Sequence, residues 1–515
     1  MKIDVKPILS FLTILCISFT FSSLNAQNRF IADSKVKDAF YDLYNFRFSE
    51  TQAYIQNEKK AHPDNLFPYF LEEYIAFIKA TVGQSSTETD AYFDVRDKAL
   101  DKIEENKFKS PWNRYVLSEI HLHSAFVRLM GAGDISSVFQ LLKAGFEVKR
   151  GHSLLIENQK MFPSFYPNLK NLGLLHAAID VVPDQWKGIA KSLTFKGTIW
   201  QGTTEIETAW NTSLKENSYS FLQPELLLYK SILSITLLSD KEKTRENLQN
   251  FKNIDNAQNL ATSPILIYAK ARSYTYIGQT DNAIKVLMSK NDSPGVYPFH
   301  YLNYMLGLAK LTRLDKDACT WFFIFLQHFK GDSYKKASMQ KIAWFYLLDQ
   351  DEAKYREYMN RIQTIGNDKV DEDKQAIKES QKKELPNLWL LKARLLSDGG
   401  YYERALEYLK AAEDHLRTRK DTLELTYRYG RIYHEWGRLT EAIPFYERTL
   451  GTGADAPWYF AANAALHLGL VYEKLDKPAK ARYFFTKCLS LNPDEYKNGI
   501  HQKAKAGLQR VKEQQ

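Results

Sequence analysis

The chain has 515 residues, with 70 lysines and arginines against 61 aspartates and glutamates and a net charge of +9. A charge this small for the length, without a lysine- or arginine-rich stripe, argues against a nucleic-acid-binding protein. Only three cysteines are present, and none has the Cys/His spacing of a zinc site. We therefore expect a chain that buries its core without disulfides, and we expect neither metal nor cofactor.

The first 26 residues have the pattern of a secretory signal peptide. Two lysines precede an apolar run over residues 8–21, and the small Ala26 followed by Gln27 is typical of a cleavage site. The run is too short and too rich in Ser and Thr to predict a membrane span, and no later stretch approaches that length. Residues 1–26 are thus predicted to be removed from an exported protein, periplasmic or peripheral on the cell envelope.

A lipidated cysteine would change this prediction to an anchored protein. Cys16 follows Leu15 rather than a small residue, and the apolar run continues at Ile17, so the pattern does not favour lipidation. The other two cysteines, Cys319 and Cys488, lie in helical patterns where Ala would also fit. We interpret them as buried thiols.

The C-terminal part of the chain contains three units in one sequence frame of about 34 residues, beginning at residues 386, 423 and 462. Small residues in this frame let two antiparallel helices approach closely, aromatic residues fill the space between successive pairs, and proline ends the second helix because it lacks an N–H. In the last two units these positions are Gly430, Tyr433, Ala442, Gly469, Tyr472, Ala481, Phe485 and Pro493.

This pattern resembles the tetratricopeptide repeat, which implies an α-solenoid of antiparallel helix pairs that binds other proteins. A weaker form of the frame begins at Pro264, and another ends at the turn His62–Asn65. Residues 66–260 follow helical periodicity without the motif. The expected fold is all-α, regular at the C-terminus and degenerate at the N-terminus. With its signal peptide, the chain resembles exported tetratricopeptide proteins of Bacteroidota-type envelopes.

Composition suggests the domain boundaries. The expected order is a signal peptide (1–26), a degenerate helical region (27–260), middle repeats (261–366), a charged hinge or linker (367–385), three repeats (386–495) and a capping helix (496–515). The segment Val181–Gly202 differs from its surroundings because glycines and a proline occur among aromatic residues. We interpret it as a short helix flanked by ordered loops, a structural plug whose further role stays open.

No arrangement specific to catalysis was found. His121 and His123 are two residues apart and would point to nearly opposite sides of a helix, so they do not predict a metal site. His176 and Asp180 are four apart, which is commoner for a helix-face pair than for a catalytic dyad. A phosphate loop, a nucleophile elbow and an HExxH motif are all absent from the sequence. The chain is predicted not to be an enzyme.

Two alternatives stay open. Glycan-binding proteins of the SusD-like family also embed tetratricopeptide pairs, but they are lipoproteins with a cysteine directly after the signal, where this chain has Gln27. A helical-toroid carbohydrate-active enzyme would hold two catalytic carboxylates among the numerous Asp and Glu residues.

A recognition surface follows from the resemblance, since the first helix of each tetratricopeptide pair lines a concave groove. The residues predicted to face this groove are Tyr268, Arg272, Arg394, Tyr427, Arg431 and His434. Arginine offers a planar set of donors that suits carboxylates, and tyrosine adds contact area at little entropic cost. The expected partner is an extended, acidic segment of another envelope protein.

Overall fold

A computed structural model describes residues 30–105, 110–131, 137–180, 195–257, 260–382 and 384–513. These residues form α-helices joined by turns and short 3-10 segments, and no β-strand occurs among them. The predicted all-α fold of helix pairs is confirmed. The predicted signal peptide, Cys16 and residues 181–194 of the irregular segment lie outside the described residues.

The helices are numbered here in chain order. The first twelve are α1 Ser34–Tyr44, α2 Phe48–Ala61, α3 Phe67–Gly83, α4 Ser86–Glu104, α5 Pro111–Gly131, α6 Ser137–Met161, α7 Asn168–Asp180, α8 Ile199–Lys215, α9 Gln223–Ile232, α10 Lys241–Ala257, α11 Pro264–Tyr276 and α12 Thr280–Met288. The others are α13 Tyr301–Arg313, α14 Ala318–His328, α15 Lys335–Leu348, α16 Glu352–Arg361, α17 Asp371–Ser380, α18 Leu388–Asp398, α19 Tyr402–Ala412, α20 Arg419–Glu435, α21 Leu439–Gly453, α22 Phe460–Lys474, α23 Pro478–Ser490 and α24 Lys497–Glu513. Within the described ranges, every helix is too short or too polar to traverse a lipid bilayer.

The chain divides into two compact units. Unit 1 comprises the described residues up to Ser273, together with Val286–Leu302 and His328–Ser333. Unit 2 comprises Tyr274–Lys285, Asn303–Gln327 and the described residues from Tyr334 onward. Four of the division points fall inside helices α11 to α14, and the fifth lies directly before α15.

Unit 2 is built from helical hairpins. Helices α15 and α16, α18 and α19, α20 and α21, and α22 and α23 pack as neighbouring pairs, and α24 packs against α22 and α23. The first helices of these pairs, α15, α18, α20 and α22, contact one another in that order, and α24 continues the series by contacting α22. We call this set of five helices the first-helix layer.

Glycines opposite aromatic rings set the spacing of these helices. A Cβ atom on Gly469 of α22 would lie 2.4 Å from the ring of Phe485 in α23, and one on Gly430 would lie 2.7 Å from the ring of Tyr446. Both distances are too short for a real side chain, so only glycine allows this approach. Ala442 is fully buried in the same core, as is Ala481.

The terminal helix α24 completes the core of the last repeat. Ile500, Ala504 and Val511 are buried with Phe485 in one hydrophobic cluster, and a Cβ atom on Gly507 would lie 2.4 Å from the Phe485 ring. One phenylalanine thus fits between glycines of two helices, α22 and α24. The apolar face of this helix has the position that a capping helix requires.

The other motif residues pack at the edges of the repeats. The ring of Tyr472 stacks on Phe484 with 5.4 Å between centroids, and that of Tyr433 stacks on Phe445 at 5.6 Å. Helix α23 ends at Ser490, and the buried Pro493 follows in the non-helical turn. Proline after the helix end fits its missing N–H, because it cannot continue the helical hydrogen bonds.

The charged segment 367–385, predicted to be a hinge or linker, includes a helix that packs on α15. It contains α17, whose Asp373 is fully buried and accepts hydrogen bonds from the backbone N–H groups of Tyr334 and Ala337 at 2.6 and 2.8 Å. These groups lie at the start of α15, where N–H groups lack helical partners. The carboxylate therefore caps α15 and attaches α17 to it.

Candidate functional site: the cationic surface of unit 2

Two cations of the first-helix layer share one indole ring. The Lys341 ammonium of α15 lies 3.8 Å from the centroid of the Trp344 ring, and the Arg394 guanidinium of α18 lies 4.9 Å from it. The Trp344 indole N–H donates to Glu379 of α17 at 2.7 Å, which fixes the ring between three helices. Cations are attracted to the face of an indole, and the attraction grows where water is excluded.

The electrostatics of this cluster favour the binding of an anion. Burial, followed by the positive charge of Arg394, lowers the pKa of the Lys341 ammonium to about 7, against the opposing effect of Glu379. Burial and a neighbouring cation both disfavour the charged form of Lys341, and Glu379 does not offset them. An incoming carboxylate would supply negative charge and favour the protonated form of Lys341.

Two further arginines occupy α20. Arg428 donates from Nε and Nη2 to Glu424 at 3.1 and 2.8 Å, whereas Arg431 lies 3.0 Å from a carboxylate oxygen of Glu435. Arg431 also donates from Nη1 to Nε2 of His467 in α22 at 2.9 Å. Each of these arginines retains one carboxylate partner on its own helix, so neither is a free cation.

The imidazole ring of His467 is uncharged in these surroundings. Burial, followed by the charge of Arg431, holds its pKa well below the ordinary value. Because Nε2 accepts from Arg431, the ring proton must reside on Nδ1, a buried atom without a hydrogen-bond partner among the described residues. The histidine therefore serves to orient Arg431 across two helices, and it leaves one donor unsatisfied.

The structure brings three of the residues predicted from the sequence together in unit 2. Arg394 and Arg431 lie on the neighbouring helices α18 and α20, and their side chains are 39% and 28% exposed. His434, one turn further along α20, lies with its ring centroid 5.3 Å from that of His467. Arg394 also lies 3.8 Å from Asp398, a long contact between half-exposed groups.

Tyr427 does not line an open surface, contrary to the expectation. It is only 3% exposed, its ring packs against Phe460, and its hydroxyl accepts a hydrogen bond from the Asn463 amide at 2.6 Å. Both partners belong to α22, so this frame position faces the next repeat rather than the groove. Arg428 at the following position, which the sequence did not single out, is likewise buried and pairs with Glu424.

Tyr268 and Arg272 belong to unit 1 and form a local pair. Nη1 of Arg272 donates to the Tyr268 hydroxyl at 2.9 Å, and the Tyr268 ring packs near Phe299 at 5.9 Å. The predicted set of groove residues is thereby divided between the two units. The candidate site described here contains only the unit 2 members.

Sequence reasoning also missed Lys341, Trp344 and His467. The first two are three residues apart on α15, and a cation and an aromatic residue at that spacing meet on one face of a helix. That spacing was the available signal. His467 had no such signal, because its partner Arg431 lies 36 positions away in the sequence.

In the part of the chain that the structure describes, no group of three or more His, Cys, Asp and Glu side chains could hold a metal ion. His123 lies 3.0 Å from Glu73, and His121 binds Glu147 separately. His176 pairs with Glu205 at 2.7 Å rather than with Asp180. Each histidine thus has its own carboxylate partner, as in a helical framework with paired polar groups.

Unit 1 contains a second polar cluster, which we call the buried ionic centre. The Lys170 ammonium lies 2.7 Å from Glu119 and 2.5 Å from Glu225, and His123 lies 3.6 Å from Glu119 and 3.0 Å from Glu73. All five side chains are at most 5% exposed. The cluster joins α3, α5, α7 and α9, so its charges connect four helices.

The pKa shifts within this centre agree with paired charges. Burial opposes ionisation of Lys170, but Glu119 and Glu225 outweigh it and raise the pKa of the ammonium. Burial likewise opposes ionisation of Glu119, yet Lys170 and His123 bring the pKa of its carboxyl below the ordinary value. The adjoining cavity measures about 10 Å³, room for one water molecule and not for a substrate. The centre is therefore structural.

Comparison with known proteins identifies the repeats. Among solved structures, the chain is similar to the APC/C hetero-tetramer Cut9–Hcn1, with 13% identity over 86% of this chain and 96% of that one and a TM-score of 0.22. It is also similar to yeast Tom70, with 13% identity over 93% of this chain and 96% of that one and a TM-score of 0.22. No curated protein matches. Residues 423–451 and 462–495 match the tetratricopeptide repeat family model, and these two segments are tetratricopeptide repeats.

Proposed function

We propose that the chain is a non-enzymatic protein-interaction scaffold and that its cationic unit 2 surface binds an extended acidic segment of another envelope protein. The observation that carries the proposal is the pair of cations, Lys341 and Arg394, on the ring of Trp344. Tetratricopeptide repeats bind partner proteins, which supports a scaffold over an enzyme. The predicted signal peptide supports the envelope as the compartment.

The chemistry of this surface suits carboxylates. Arg394 is the half-exposed member, and its nearest acidic neighbour, Asp398, is 3.8 Å away and itself 55% exposed. A guanidinium with so weak an internal partner can make a bidentate contact with a ligand carboxylate. Lys341 adds a second charge beside it, and the indole offers apolar contact to the aliphatic part of a Glu or Asp side chain.

The spacing of the cations favours an extended ligand. They lie on three consecutive first helices, α15, α18 and α20, and packed helices are about 8–10 Å apart. A ligand that reaches from Lys341 to Arg431 must therefore span about 20 Å. An extended peptide rises about 3.3 Å per residue, so about six residues cover that distance. A compact metabolite could contact Lys341 and Arg394 together, but it would not also reach Arg431.

The test begins with a partner captured by crosslinking in native envelopes and continues with its isolated acidic segment. The variant Arg394→Glu/Arg431→Glu should bind that segment at least tenfold more weakly, about 1.4 kcal/mol. The control Arg356→Glu/Arg361→Glu changes the net charge equally on α16, where both arginines pair with glutamates of their own helix at about half exposure. It should bind as the parent chain does.

Salt dependence provides a second measurement. Because the cations are partly exposed, affinity for the acidic segment should fall as ionic strength rises. If Arg394→Gln/Arg431→Gln, which removes charge without repulsion, binds as tightly as the parent while the melting temperature is unchanged, recognition lies elsewhere. Hydrolysis of a glycan by the purified chain would contradict the scaffold proposal as a whole.

A further inference from the structure

One end of the α5–α6 hairpin in unit 1 exposes an unusual number of large apolar side chains. They are Phe126 and Leu129 of α5 and Phe139, Leu142 and Phe146 of α6. Phe146 is 71% exposed and Phe139 61%. A single exposed leucine or phenylalanine is ordinary, but a contiguous group marks a surface that another phase or molecule covers. We call these five residues the apolar hairpin end.

The α6 members lie on one face of the helix. Phe139, Leu142 and Phe146 follow one another at spacings of three and four residues, which places them in a single stripe. Leu141 and Ala144 are buried, so the opposite face of α6 packs on the core of unit 1. The exposed stripe is therefore the outward face of an ordered helix.

Positive charge lies directly behind the apolar residues. The ammonium of Lys143 lies 4.3 Å from the centroid of the Phe139 ring. One turn beyond Phe146, Lys149 and Arg150 are exposed. The stripe from Phe139 to Phe146 covers about 10 Å along the helix axis, at about 1.5 Å per residue, before these two cations follow.

The one acidic residue of this stretch does not oppose the cations on the outward face. Glu147 is the only Asp or Glu between Phe139 and Arg150. It accepts a hydrogen bond from the Ser124 hydroxyl of α5 at 3.1 Å, and it also pairs with Arg96 of α4. Its charge is thus used within the helical packing, and the outward face of this part of α6 is apolar and cationic.

We propose that the apolar hairpin end docks into the surface of an anionic lipid bilayer. Interfacial helices lie in the membrane surface and bury one apolar face about 5–10 Å into the boundary between headgroups and acyl chains, and Phe139, Leu142 and Phe146 form such a face. Lys149 and Arg150 then lie at the depth of the lipid phosphates, where each basic residue contributes about 1 kcal/mol. The exposed Lys149 and Arg150 that follow Phe146 favour an anionic bilayer over an apolar partner surface.

This interaction is independent of the peptide-binding surface proposed for unit 2, since it uses only residues of unit 1. A chain bound in this way lies on a membrane without crossing it. The chemistry that it recognises is an acyl-chain boundary beneath negatively charged headgroups.

The test is cosedimentation of the purified chain with vesicles of phosphatidylcholine containing about one-third phosphatidylglycerol, beside vesicles of phosphatidylcholine alone. The chain should sediment with the anionic vesicles and much less with the neutral ones. Phe139→Glu/Phe146→Glu should reduce binding at least about tenfold, and Lys149→Glu/Arg150→Glu about fivefold or more. Tyr483→Glu, at a residue 63% exposed in unit 2, is the matched control and should bind as the parent does.

Two further measurements separate this proposal from its rivals. Hydrogen–deuterium exchange should show protection of α6 peptides in the presence of anionic vesicles, and the melting temperatures of the variants should stay unchanged because the substituted side chains are exposed. Equal binding by Phe139→Glu/Phe146→Glu and the parent would overturn the proposal. A second result would also overturn it. In that case, sedimentation velocity without lipid would show the parent chain as a dimer and this variant as a monomer, and neither form would bind vesicles.

Discussion

Replacement of Lys170 by methionine should destabilise unit 1 severely, because the buried ionic centre depends on that one ammonium. Lys170 is 1% exposed and is the cation closest to both Glu119 and Glu225. Methionine has a similar shape but no charge, so two carboxylates would stay buried with only His123 near one of them. Breaking a buried pair by removal of one partner costs about 3–5 kcal/mol.

That cost is a large fraction of the stability of a typical domain, about 5–15 kcal/mol. The matched control is Lys382→Met, because Lys382 pairs with Glu495 at 2.6 Å while the two side chains are 44% and 28% exposed. An exposed pair contributes about 0–1 kcal/mol. The two lysine substitutions therefore remove the same charge from very different surroundings.

Urea denaturation followed by far-UV circular dichroism should show the loss, and hydrogen–deuterium exchange should assign it to peptides of α5, α7 and α9. The triple variant Lys170→Met/Glu119→Gln/Glu225→Gln should recover stability relative to Lys170→Met, since it leaves no unpaired charge. If Lys170→Met unfolds at the same urea concentration as Lys382→Met, the charges of the centre are not coupled in the way described here.

Three further predictions follow from the packing and the charges. Gly469→Ala should cost about 1–3 kcal/mol of folding stability, since its Cβ would lie 2.4 Å from the Phe485 ring. Gly451→Ala, whose Cβ would have no heavy atom within 4 Å, should instead stabilise its helix by about 0.5–1 kcal/mol. Thermal melting distinguishes the two variants, and equal melting temperatures would contradict the packing role of Gly469. Deletion of residues 496–515 should uncover Phe485 and increase binding of a hydrophobic dye, and a truncated chain as soluble and stable as the parent would refute the capping role. Burial opposes ionisation of His123, but Glu73 and its other carboxylate neighbours raise its pKa in the folded chain. The stabilisation from protonated His123 is therefore complete below the pKa of the unfolded chain, about 6.5, and is lost as pH rises through the higher pKa of the folded chain. As pH rises through this interval, the melting temperature of the parent should fall, whereas that of His123→Gln should change less.

The repeat core could be predicted because its determinants lie close together in the sequence. Gly430 and Tyr446 meet across one hairpin, as do Gly469 and Phe485, and each pair is 16 residues apart. Helical periodicity and turn residues fix such a hairpin without reference to the rest of the chain. The same frame failed for Tyr427, because whether a side chain faces the groove or the next repeat depends on how two hairpins stack.

The polar features of the fold were harder to foresee. Lys170 and Glu225 are 55 positions apart, and nothing in either local sequence distinguishes them from surface charges. Asp373 lies in a segment whose charge density favours a solvated linker, yet it caps α15 from 36 positions away. Buried charges depend on partners that only the tertiary structure brings together. A sequence analysis that assumes polar residues to be exposed therefore assigns them to the surface.

The position of Trp344 makes the candidate peptide-binding surface observable in solution. Indole emission responds to charges near the ring, and here the ammonium of Lys341 and the guanidinium of Arg394 both lie within 5 Å of the ring centroid. A ligand carboxylate that draws Arg394 away from Trp344 would change the electric field at the indole without contacting the ring. Because the chain has nine tryptophans, subtraction of the spectrum of Trp344→Phe isolates this one, and unit 2 then carries an intrinsic optical probe of its own occupancy.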